Sequence, residues 1–224
     1  MKRRDFTVGL IVPVLGLCDP ARAGGFNESE AAQGIRSALQ RGAELAVASL
    51  GKTDGFLGNP LVKIPLPGVL KDAARLLEAT GQRRKVDELV TAMNRAAEQA
   101  VPKAKTLLVS TARSITVDDA VKIVRGGETS VTDYFSARTR EPLSAQFLPI
   151  VTQATEKVAL ADKYNAVAGK AGQLGLLKGD DTNIQRYVTA KALDGLYRLI
   201  GEEEKKIRRD PVGTGSAILK KVFG

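Results

Sequence analysis

Apolar residues recur at three- and four-residue spacing along almost the whole of this chain, and that spacing fits helices and not strands. Ile35, Ala38, Leu39, Gly42, Leu45 and Ala46 make one such stripe, with Arg36, Gln40, Arg41 and Glu44 on the opposite side. Val86, Leu89, Val90, Met93, Ala97 and Ala100 make another, and Tyr187, Ala190, Leu193, Tyr197, Ile200 and Ile207 a third. Aromatic residues are only 4% of the sequence and Trp is absent, while Ala, Leu, Lys, Arg and Glu abound, which also favours helices. The expected fold is all-α: a single multi-helix, bundle-like domain over residues 24–224.

One long segment interrupts the helical pattern. Residues 51–68, GKTDGFLGNPLVKIPLPG, are rich in Gly and Pro and exclude regular helix. Yet Phe56, Leu57, Leu61, Val62, Ile64 and Leu66 are apolar, so the segment must pack on something. It reads as a lid on the core, with the wall of a binding cleft as the alternative. Asn94, Arg95 and Glu98 follow within about one turn and read as a solvated helix face.

Further on, Thr116 precedes Asp118 and Asp119 as an N-cap with first-turn acids. Gly126-Gly127 ends that helix, the first glycine in a left-handed conformation, and Thr129 or Ser130 caps the next. Pro142 is expected to open a separate helix and Pro149 to kink it. In the last long helix, Glu202/Lys206 and Glu204/Arg208 read as i,i+4 pairs in the favourable order, worth roughly a few tenths of a kcal/mol each. The acidic turn after Gly179 lacks the spacing of a calcium loop.

The first residues read as an address. Lys2, Arg3 and Arg4 precede an apolar run, Thr7–Leu17, too short to span a bilayer, and Ala21-Arg22-Ala23 offers a cleavage site. Arg3-Arg4-Asp5-Phe6 resembles a twin-arginine export signal; an ordinary secretory signal is the alternative. Leu17 stands where a lipoprotein signal ending at Cys18 needs a small residue. Export to the periplasm with cleavage after Ala23 is therefore expected, leaving a chain with no Cys and a net charge of about +7 from the original +9.

No His occurs anywhere, and Cys18 is the one Cys. These absences argue against His- or Cys-dependent nucleophilic sites, zinc and haem sites and iron–sulfur clusters. No phosphate-binding glycine pattern occurs, so no cofactor and no metal is expected. Basic residues are scattered among acidic ones, which speaks against nucleic acid as partner. The basic tail, residues 212–224 with SAILKKVF, reads as a terminal helix docked on the core, with contact with an anionic membrane surface as the alternative.

The candidate binding residues are Asp54 and Asn59 in the Pro-rich segment and Arg125, Asp133 and Tyr134 around the double glycine. They make a site only if the fold brings the two groups together. The expected function is a non-enzymatic binding or interaction module for a protein or small-molecule partner. The alternatives are a hydrolase-like or other enzyme using Asp, Tyr or Lys, and a peripheral envelope-surface protein held by basic charge.

Four segments, GFLGNPLVKIPLPG, MNRAAEQAVPKA, DDAVKIVRGGETSVTDYF and the stretch from YVTAKALDGLYRLIGEEEKKIRRD to the C-terminal glycine, occur in this order. Together they resemble the bacterial exported family known as domain of unknown function 4197, over nearly all of residues 32–224. The resemblance implies an exported, mostly helical protein and assigns no activity and no site residue.

Overall fold

The computed structural model describes residues 28–176 and 178–210, and the protein is all-α, with no strand among those residues. The helices are α1 (Glu28–Leu50), α2 (Gly68–Ala79), α3 (Arg83–Ala100), α4 (Ala104–Arg113), α5 (Val117–Arg125), α6 (Ser130–Thr155), α7 (Ala159–Gln173) and α8 (Ile184–Arg209). Short 3-10 turns at Val101–Lys103 and Gly179–Thr182 join α3 to α4 and α7 to α8. The expected signal segment 1–23 and the tail 212–224 lie outside the described residues.

Helix α6 is the axis of the fold. It packs on α8 along one side and α3 along another, and α1 covers α4, α5 and α8. The buried stripe of α6, Val131, Phe135, Leu143, Phe147 and Val151, meets Leu89 and Met93 of α3 and Leu196 and Ile200 of α8 in one apolar core. α6 and α8 run antiparallel. Three polar contacts mark the register: Val131 N–H to Glu204, the Thr139 hydroxyl to Tyr197, and Gln185 to Thr155.

The two helices expected around Pro142 are one: α6 continues through both Pro142 and Pro149. Both prolines are exposed, as are Arg138 and Ala145 four residues before each. Each ring removes a hydrogen bond to a carbonyl on the solvent side, where water can take it. The apolar stripe on the other face holds the helix together.

The Pro-rich segment is a lid. Phe56, Val62 and Ile64 are buried, and Phe56 and Val62 lie so close to Gly195 of α8 that a Cβ there would meet Phe56 at 2.7 Å. Asn94 and Glu98, expected on a solvated face, are buried because the lid needs them. Asn94 accepts from Ile64 N–H at 2.8 Å and donates to the Ile64 carbonyl at 3.0 Å, as a neighbouring strand would. Glu98 accepts from the N–H groups of Phe56 and Leu57 at 3.0 and 3.1 Å. A buried irregular backbone must find such partners or forfeit the desolvation of each group.

Candidate functional site

The fold puts the five sequence candidates in two places. Asp54 takes the left-handed conformation, φ 64°, and pairs with Arg95 at 2.8 Å; Arg95 also holds Glu98 at 2.6 Å. Asn59 accepts from Leu61 N–H at 3.1 Å, an Asx turn that shapes the lid. Both side chains thus hold the lid in position. Arg125, exposed, closes α5. Asp133, exposed, accepts from the Thr129 hydroxyl at 3.1 Å. Tyr134 is buried under Arg138, whose guanidinium stands 3.7 Å from the ring centroid.

The lid meets α8 at Gly195 and the corner meets it at Glu204, a separation of about 13 Å along a helix rising 1.5 Å per residue.

The α5–α6 corner is built by a side chain from α8. Thr116 and Asp119 form the expected capping box at the start of α5. Gly126, however, is extended, φ −75° and ψ 170°, and no left-handed residue is needed. Its glycine serves close approach, since a Cβ would lie 2.6 Å from Ser130 Cβ. Thr129 makes no side-chain cap. The carboxylate of Glu204 caps α6 instead, accepting from Val131 N–H at 3.1 Å and Thr132 N–H at 3.2 Å.

Arg208 donates to Glu204 at 2.9 Å, to the Ser130 hydroxyl at 2.6 Å and to the Ile123 carbonyl at the end of α5 at 2.9 Å. Anion at a helix N-terminus and cation at a helix C-terminus is the arrangement the helix dipoles favour. Glu204, buried, and Arg208, half-buried, therefore form a junction between three helices and not merely the i,i+4 pair expected. The signal was present in the sequence, since Glu204 continues the Leu193, Leu196, Tyr197, Ile200 stripe by one turn.

The buried carboxylates are engaged by partners, and burial raises the phenols. Glu98 and Glu204 are the buried acids among the described residues, and each is saturated by two backbone N–H groups and an arginine. Burial pushes Tyr164 and Tyr187 up to about 12 and raises Tyr134 and Tyr197 as well, so every tyrosine hydroxyl stays protonated. Tyr187 donates to the Pro65 carbonyl at 3.0 Å. Desolvation acts to raise Asp119, but its bonds from Thr116 and the charges of Arg138 and Lys122 outweigh it and hold the carboxyl below the ordinary range. Among the described residues no group of three or more acids is placed to hold a metal.

A different region carries uncommitted polar groups. A groove of about 650 Å³ runs between α6 and α8, lined by Ser136, Arg140, Glu141 and Ser144 of α6, by Arg186 and Thr189 of α8, and by Asp180 of the preceding turn. Ala137, Leu148, Ala190 and Leu193 give it an apolar strip. From Ser136 to Leu148 it extends about 18 Å at 1.5 Å per residue, and its volume is in the range of ligand sites, roughly 300–1,000 Å³. Arg140 is engaged by Asp194.

Thr189 is 2% exposed, and its hydroxyl is the one buried side-chain polar atom without a hydrogen-bond partner among the described residues. Buried hydroxyls are almost always satisfied. None of the five sequence candidates lines this groove. Periodicity places Thr189 and Arg186 on α8, but whether a hydroxyl is satisfied depends on neighbours from α6 that no local pattern reveals.

A family model described as "Protein of unknown function (DUF4197)" matches residues 25–224. No curated protein matches the chain, and no solved structure does.

Proposed function

The chain belongs to the DUF4197 family, and we propose that it is an exported, periplasmic binding protein without catalytic activity, its ligand seated in the groove between α6 and α8. The observation that carries this reading is the Thr189 hydroxyl, buried at the groove and unpaired. An unpaired buried hydroxyl costs about 1–3 kcal/mol, and a ligand that bonds it recovers that cost. The saturated state of Glu98 and Glu204 and the raised tyrosines favour binding over a carboxylate- or tyrosine-based reaction. The basic start, the short apolar run and Ala21-Arg22-Ala23 support export with removal of residues 1–23.

Native mass spectrometry of the protein taken from its own periplasm tests both parts. The expected result is a chain beginning at Gly24 that retains a small ligand, and an Ala190→Trp variant, with the groove filled, that does not. A retained ligand unaffected by that substitution would move the site elsewhere. A chain that keeps residues 1–23 would remove the export reading.

A further inference from the structure

The reading of the groove as a ligand site can be taken further, to the chemistry of the ligand, and the following rests on that reading. The groove's charges are of both signs and are not paired with each other. Arg186 has no side-chain partner among the described residues, and neither do Glu141 and Asp180. Ser136 and Ser144 are half-buried hydroxyls on the same wall, likewise without partners.

The charges are also spread along the groove. Arg140 bonds Asp194, which puts neighbouring Glu141 near the level of residue 194 on α8. Arg186 lies eight residues earlier on that helix, about 12 Å away along its axis. An extended chain covers that distance in about three to four residues at 3.3 Å each.

We propose that the groove takes a short, extended peptide of about three to four residues with both ends free, its ammonium at Glu141 and its carboxylate at Arg186. The hydroxyls of Ser144 and Thr189 lie between the two ends and serve the peptide's N–H and C=O groups, which a hydroxyl can do in either sense. Small apolar side chains fit the strip of Ala137, Leu148, Ala190 and Leu193. Asp180 stands at the Arg186 end. It tolerates one carboxylate held by the guanidinium and repels a phosphate or a dicarboxylate, so the ligand is net neutral. The groove is lined by no aromatic residue, which gives a sugar ring no stacking face.

Tetra-alanine, its N-acetylated form, its C-terminal amide and free alanine are the probes, followed by amide NMR shifts at Ser144, Thr189 and Ala190 of the full protein without residues 1–23. Tetra-alanine is expected to shift all three. Acetylation is expected to weaken it about fivefold in the native protein and not in Glu141→Gln; amidation is expected to do the same in the native protein and not in Arg186→Met. That factor is what an exposed charge pair of about 1 kcal/mol supplies.

Free alanine binding as tightly as the tetrapeptide, or capped peptides binding as well as the free one, would overturn the proposal. A dialysed periplasmic extract is the companion sample. Shifts at these residues with the extract's small-molecule fraction but with no peptide would overturn the ligand class and leave the groove reading standing. Shifts with neither would remove both.

Discussion

The α5–α6 corner and the α6–α8 groove share helices α6 and α8 and use the same kinds of residue, an arginine, a carboxylate and a hydroxyl. At the corner Arg208, Glu204 and Ser130 bond one another and the free backbone groups of two helix ends. In the groove the side chains of Arg186, Glu141 and Thr189 bond nothing among the described residues. Residue type therefore does not distinguish the two regions; the partners of the polar side chains do. The corner is finished by the chain itself, while the groove's side chains find no such partners among the described residues.

The largest effect expected from breaking this comparison is at the finished end. Glu204→Ala leaves the half-buried Arg208 without this carboxylate and two α6 N–H groups without an acceptor, and is expected to cost about 3 kcal/mol, read by urea unfolding. The double change Glu204→Ala, Arg208→Met should cost less than the single one, because no uncompensated charge remains. A loss under 1 kcal/mol, roughly, in the single variant would show that the corner is not held by this pair.

Next in size is the lid. Asn94→Ala removes three hydrogen bonds to Ile64 and Val90 and strands the buried backbone of Ile64, at about 2 kcal/mol. Native-state hydrogen exchange should show residues 54–66 opening locally before the helices do. Global unfolding without such local opening would make the lid an integral part of the core and no separate flap.

The sequence displayed the helices well because each buries a stripe, and a stripe is a local pattern. It also displayed the lid, since apolar residues among prolines and glycines have to pack. Other features were hidden for a common reason. Glu98 and Glu204 looked solvated because charge is a reliable sign of exposure until an irregular backbone or a helix end elsewhere in the chain needs an acceptor. Pro142 looked like a helix start because the rule is local, whereas the continuity of α6 is held by packing on α3 and α8. The two halves of the expected site, Asp54 with Asn59 and Arg125 with Asp133 and Tyr134, were each polar and each beside a turn. Their separation along α8 is a property of the whole fold.

A smaller effect belongs to the capping box. Asp119→Asn is expected to cost about 1 kcal/mol near pH 7. Since the folded-state pKa of Asp119 is depressed, the stabilisation is present above the unfolded value, about 3.9, and fades as pH falls through the folded one. Urea unfolding at neutral pH and at about pH 3 should therefore show the gap between native protein and variant narrowing with acid. A gap that stays constant with pH would mean that the difference between the two side chains does not arise from ionisation of the carboxylate.

The smallest expected effect is also the sharpest, because it reverses sign. Thr139 and Thr189 are both buried threonines at the α6–α8 interface. The Thr139 hydroxyl bonds the Phe135 carbonyl at 2.7 Å and Tyr197 at 2.8 Å, whereas that of Thr189 has no partner. Thr139→Val should destabilise by about 1 kcal/mol, since the Tyr197 hydroxyl loses its neighbour. Thr189→Val replaces an unpaired hydroxyl with a methyl group of the same shape and should stabilise the ligand-free protein by about 0.5 kcal/mol. On the groove reading the Thr189 hydroxyl serves the ligand, so the same variant should bind tetra-alanine more weakly. If Thr189→Val were as destabilising as Thr139→Val, the hydroxyl would have a partner within the fold. The groove would then be as finished as the corner.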